Sequence, residues 1–146
     1  MRVVFVIEST PGWRVSSRGS KRLATLLGVD DLDRFAIIGL VDHYPGRTSR
    51  GEDFPTGLAR QNATALLRSV PRGTSLILVG RHVANAFGLN TAVFFAWHFI
   101  YPDRDPKHAQ RVVVIPDPSA SNRWWNEPVN ATKAARFLRR IGKEAE

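Results

Sequence analysis

The chain has 146 residues, 43% hydrophobic and 23% charged, which is enough for one domain around a continuous core. Lys and Arg total 21 against 13 Asp and Glu, a net charge of +8 with a pI near 11, so polyanions are the natural partners, nucleic acid first. The absence of Cys excludes disulfides and thiolate metal sites, and His43, His82, His98 and His108 lack ligand spacing, so neither metal nor cofactor is expected.

"RVVFVIE" (2–8) is β-branched and apolar on both faces, as a strand of a covered parallel sheet is. It is too short for a signal sequence or a membrane span, so the chain reads as a cytosolic, soluble monomer. "STPGW" breaks that strand. "SSRGSKRLATLLG" follows, with Leu23, Leu26 and Leu27 at helical spacing and Gly28 as its stop. "RFAIIGLVDHY" (34–44) is a second strand, and "PGRTSRGEDFPTG" a polar loop. Residues 58–69 read as an amphipathic helix with Leu58, Ala65 and Leu66 inward and Arg60 and Arg68 outward.

"TSLILVG" (74–80) is the third strand, "RHVANAFG" a short helix ending at Gly88, and "TAVFFAW" (91–97) a short strand or extended segment. After the loop "YPDRDPKHAQ", "RVVVIP" (111–116) is the last strand. Residues 130–146 close the chain as a helix with Ala134, Phe137, Leu138 and Ile141 on one face. The order β-α-β-α-β-α-β-β-α predicts a single domain: a three-layer α/β/α sandwich whose mostly parallel sheet has four to five strands.

In such sheets ligands bind outside the carboxyl ends of the strands. Two polar loops fall on that edge: "ESTPGW" after the first strand and "DPSASNRWWN" after the last. Glu8-Ser9-Thr10-Pro11-Gly12 and Asp117-Pro118-Ser119, with "LILVGRHVANAFG" between them, make the chain resemble the uracil-DNA glycosylase superfamily from about residue 2 to 141. The resemblance implies a pocket for a flipped nucleotide, walled by the two loops, in which an N-glycosidic bond is hydrolysed in the course of base excision and DNA repair. It also implies a base pocket of Thr10, Pro11, Gly12, Trp13, Gly39, Asp42 and Phe54.

The motifs depart from that superfamily's usual pattern in three places. Thr10 stands where Asp, Asn or Ala is usual, so Glu8 is the only carboxylate of the first loop. The second strand ends in Gly39, then Asp42 and His43, with no Asn to read a pyrimidine. Asp117 replaces the second motif's His. Gly12 also removes the Tyr that blocks bulk at a pyrimidine's 5-position. Together these changes direct the expectation toward a modified or damaged base rather than plain uracil.

Glycosidic cleavage builds positive charge on the sugar and negative charge on the departing base, so it needs an acceptor below one and donors near the other. Glu8 fits the first role, and equally a salt-bridged carboxylate at a strand end. Asp117 fits a hydrogen bond to the base, and equally an Asx turn into Pro118-Ser119. Ser119, Ser121 and Asn122 are short donors suited to phosphates flanking an extruded nucleotide, on single- or double-stranded DNA. Arg123 can pair with phosphate or fill the space the base left. Of Trp124 and Trp125, one is expected under the final helix and the other stacked on nucleic acid. Asn126 with Pro128 starts and caps that helix. Arg18, Lys21, Arg47, Arg50, Arg60, Arg81 and Arg123 form a phosphate track. Two other functions suit the same residues: a non-catalytic DNA-binding or base-sensing protein, and an enzyme acting on free nucleotides.

Overall fold

In the computed structural model the chain is an α/β protein, described over residues 2–9, 18–30, 32, 35–41, 54–89, 91–102, 109–118 and 123–144. The strands are β1 (Arg2–Ile7), β2 (Ala36–Gly39), β3 (Thr74–Val79), β4 (Trp97–Ile100) and β5 (Gln110–Ile115). The helices are α1 (Arg18–Leu27), α2 (Thr56–Ser69), α3 (Arg81–Ala86) and α4 (Pro128–Glu144), with a short 3-10 helix over Arg123–Asn126. The strands form one sheet in the order β2-β1-β3-β5-β4, and only β4 runs antiparallel to its neighbour.

The central strands are apolar at consecutive positions because both faces are covered. Phe5, Ile7, Ile77, Val79, Val113 and Ile115 point to one face and pack with Leu23 and Leu27 of α1 and Leu138 and Ile141 of α4. Val4, Val6, Leu76, Leu78, Val112 and Val114 alternate to the other and pack with Ala59 and Ala63 of α2 and Val83 and Ala84 of α3. Two helices therefore lie on each side of the sheet. On the first side α1 and α4 cross so closely that a Cβ built on Gly142 would lie 2.5 Å from the Leu27 carbonyl oxygen.

Three elements differ from the sequence expectation. The buried stripe of α2 is Ala59 and Ala63, with Leu66 half-buried, whereas Leu58 is 50% exposed and Ala65 is exposed. The 59-63-66 spacing lets small residues bring the helix onto the sheet, and Leu58 falls just outside that stripe. Strand β2 has only four residues, ending where Leu40 N–H bonds the Ile7 carbonyl at 2.8 Å. Residues 91–97 are not the fourth strand, which begins at Trp97. Phe95 adopts φ 62°, a left-handed conformation that ends any extended run there. Its N–H bonds the Val114 carbonyl at 3.0 Å while its ring meets Phe137, so packing on both sides holds the turn. Pro128 takes the first turn of α4 as expected. Asn126 closes the 3-10 helix instead of capping α4, and Asn130 Nδ2 ties α4 to the Trp124 carbonyl at 3.0 Å.

No described helix is long and apolar enough to cross a membrane.

Candidate functional site

The chain leaves β1 through α1 to reach β2 on one side, while β3 lies on the other. The helices that follow β1 and β3, α1 and α3, lie on opposite faces of the sheet, and parallel sheets open a ligand crevice at such a point. The register Phe5↔Ile77, Val6↔Leu78, continued by two residues, sets Glu8 beside Gly80. Glu8 shares the parity of Val4 and Val6, so it emerges on the side of α2 and α3.

Gly80 carries φ 92° and ψ 163°, a conformation open only to glycine. It converts β3 directly into α3 and delivers His82 in the helix's first turn. Nδ1 of His82 lies 2.9 Å from Oε1 of Glu8, closing a carboxylate–imidazole pair across the crevice. The imidazole stacks on Phe54, with centroids 5.0 Å apart and planes 9° from parallel. Phe54 is buried, and the Thr56 hydroxyl donates to its carbonyl at 3.2 Å, so it is anchored at the entry to α2. Phe54 thus backs the imidazole from the entry to α2.

Burial pushes the Glu8 carboxyl above the usual carboxylate range, the largest of the influences on it. The His82 contact pulls in the opposite direction, and the charge of Asp117 adds to the upward push. Strand β3 separates β1 from β5, so their backbones lie about 10 Å apart, two strand spacings. Glu8 and Asp117 are nonetheless within electrostatic reach, because only the side-chain-free Gly80 intervenes. A Cβ there would lie 3.7 Å from the Asp117 Cβ.

Asp117 is held by its backbone, whose carbonyl accepts the Trp125 indole N–H at 2.8 Å, a bond worth about 1 kcal/mol. Trp125 is the buried member of the Trp pair, with the Arg22 guanidinium 5.6 Å from its ring centre. Trp124 is half-buried among Phe94, Phe95 and Trp125, its ring centre 5.9, 5.6 and 4.9 Å from theirs. Trp124 is thus the less buried ring of the pair, and protein aromatics pack against it on several sides. Arg81 is likewise engaged: Nη1 donates to the Ala92 carbonyl at 2.6 Å, and the guanidinium sits 4.1 Å from the Phe94 ring centre. Arg123 is exposed at the start of the 3-10 helix. Gly39 ends β2 opposite Ile7.

Of the other expected site residues, Thr10, Pro11, Gly12, Trp13, Asp42, Ser119, Ser121 and Asn122 lie outside the described residues, as do Arg47 and Arg50. The described structure therefore brings together Glu8, Asp117 and Phe54 and adds His82, which sequence reasoning passed over. One signal pointed to it: an ionisable residue two positions after the glycine that ends the central strand. Among the described residues no group of three His, Cys, Asp or Glu is placed to hold a metal ion. No protein-family model matches the sequence, and no curated protein is found to be similar to it.

Proposed function

We propose that the protein is a DNA glycosylase-like hydrolase that releases a modified or damaged base, with water activated by Glu8 and His82. The observation that carries this reading is the 2.9 Å Glu8–His82 contact at the switch point of the sheet, joined to an upward-shifted Glu8 carboxyl. A carboxylate whose pKa is displaced by burial and a specific charge partner in a crevice is a candidate acid–base group. When Glu8 is ionised, the His82 Nδ1–H donates to it. That bond fixes the tautomer and leaves Nε2 as an acceptor on a side chain 52% exposed to solvent.

The reaction is the attack of water on C1′ of the extruded nucleotide. The C1′–N bond breaks, its electron pair leaves with the base, and the water proton passes to the dyad. The negative charge of Glu8 also stabilises the oxocarbenium-like sugar. Asp117, on the opposite wall, interacts with the base. An ionised carboxylate there opposes an anionic pyrimidine and favours a base bearing amino donors.

The test is incubation with oligonucleotides carrying a panel of modified bases, followed by detection of abasic sites. At least one substrate should yield abasic sites, and Glu8→Gln should slow that release by about 10²–10⁴ while leaving DNA affinity nearly unchanged. Tight DNA binding without release of any base would refute the catalytic reading and leave a base-sensing protein.

A further inference from the structure

We infer that the outer face of α4 is a second nucleic-acid contact surface, a track for the phosphate backbone of duplex DNA lying away from the crevice. The helix contains Lys133, Arg136, Arg139, Arg140 and Lys143 and a single carboxylate, Glu144. Its net charge of +4 is half of the chain's +8. At about 100° per residue the five cations fall within an arc of about 120°, opposite the buried Ala134, Leu138 and Ile141. All five are exposed, and none forms an ion pair or hydrogen bond with another described residue. Thr132, Ala135, Arg136, Arg139, Arg140 and Lys143 frame an open trough along this face.

Geometry and chemistry favour phosphate. Lys133 to Lys143 spans about 15 Å of helix axis, a length over which duplex DNA presents about nine phosphates. Three of the five cations are Arg, whose planar fork grips phosphate bidentately. A membrane surface suits the helix less well, because an interfacial helix needs a free apolar face, and the apolar face of α4 is spent on the sheet and α1. α1, on the same side, adds the exposed Lys21 and no carboxylate. The inference takes only its choice of partner from the DNA reading, and it stands whether or not a base is released.

The test is fluorescence anisotropy of a labelled unmodified duplex with the full chain, between 50 and 200 mM salt. Native protein is compared with the variant Arg136→Gln/Arg139→Gln/Arg140→Gln/Lys143→Gln. Gln keeps the helix propensity, and a melting curve checks the fold. At roughly −0.9 per phosphate contact, the variant's log–log salt slope should be shallower by about 3–4 units, and its affinity lower by roughly tenfold or more. If the quadruple variant melts early, Arg136→Gln/Arg140→Gln should show about half that slope change. An unchanged slope and affinity would overturn the inference. So would vesicles of anionic phospholipid binding more tightly than duplex at equal salt, with that binding lost in the variant. Glu8→Gln, in the same assay, should bind as native. Absence of base release by the native protein therefore counts against the catalytic reading alone and leaves the track intact.

Discussion

Replacing Gly142 by Ala reverses a usual rule. In a helix interior, Ala is better than Gly by about 0.8–1 kcal/mol, so the substitution alone favours α4. Here the added methyl would sit 2.5 Å from the Leu27 carbonyl oxygen, whereas ordinary contact begins at 3.4 Å. The helices would have to separate by roughly 0.9 Å, the difference between those distances. That carbonyl belongs to the last residue of α1, which is anchored. Leu27 is buried in the core, and the turn behind it is closed by Gly28 N–H to the Thr25 carbonyl and Val29 N–H to the Ala24 carbonyl. Overpacking of this kind costs about 1–3 kcal/mol, and after the propensity gain up to about 2 kcal/mol of destabilisation remains. For a domain of this size the melting temperature should fall by up to about 8 °C. Gly57 is the control: it lies in the first turn of α2 with nothing within 4 Å of a Cβ. Gly57→Ala should raise the melting temperature by about 1–3 °C. Thermal unfolding followed by far-ultraviolet circular dichroism reads both, and a rise in Gly142→Ala equal to that in Gly57→Ala would refute the close-crossing argument.

The upward shift of Glu8 makes a stability prediction with a definite sign. A carboxyl whose folded pKa is raised favours folding below its unfolded pKa, and loses that contribution as pH rises through the folded value. Glu8→Gln should therefore melt above native at neutral pH, with the gap closing as the pH is lowered; a gap independent of pH would contradict the burial argument. His82→Gln should slow base release by about 10²–10⁴, while binding measured by anisotropy stays near native. Arg123→Ala should make the salt slope of DNA binding about one unit shallower if Arg123 contacts phosphate. No change would assign it to the surface of the 3-10 helix. Asp117→Asn should alter which modified bases are released more than it alters DNA affinity, as read from the substrate panel.

The strands that make the core were legible because β1, β3 and β5 are β-branched runs bounded by polar segments, and covered parallel strands need little else. The face of α2 was misjudged because Leu outranks Ala in hydrophobicity, while close docking on a sheet selects the smaller residue. "TAVFFAW" read as a short strand or extended segment, but Phe94 packs with the α2–α3 side and Phe95 with the α1–α4 side. A left-handed residue between those packings leaves no sign in hydrophobic periodicity. Glu8 and Asp117 could be placed on one edge from strand order alone. The Glu8–His82 contact could not, since it depends on which strand lies between β1 and β5, a question of sheet order rather than local pattern. The charges of α4 were visible throughout, but the apolar stripe that docks the helix drew the eye from its opposite face.

The single-residue elbow at Gly80 has an evolutionary corollary. His82 is tied to the sheet by one glycine and the first turn of a helix, and Glu8 directly follows a strand. Neither group depends on a long connection for its position, so the dyad belongs to the rigid frame. The stretch assigned to the base pocket, 10–13, lies outside the described residues and contributes nothing to the dyad's position. Changes of length or composition there could retune which base enters without disturbing the water-activating pair. An insertion between Gly80 and His82 would be different: one extra residue turns the imidazole by about 100° around the α3 axis, away from Glu8. Substrate choice would then drift among descendants of this chain while the spacing from strand to imidazole stays constant.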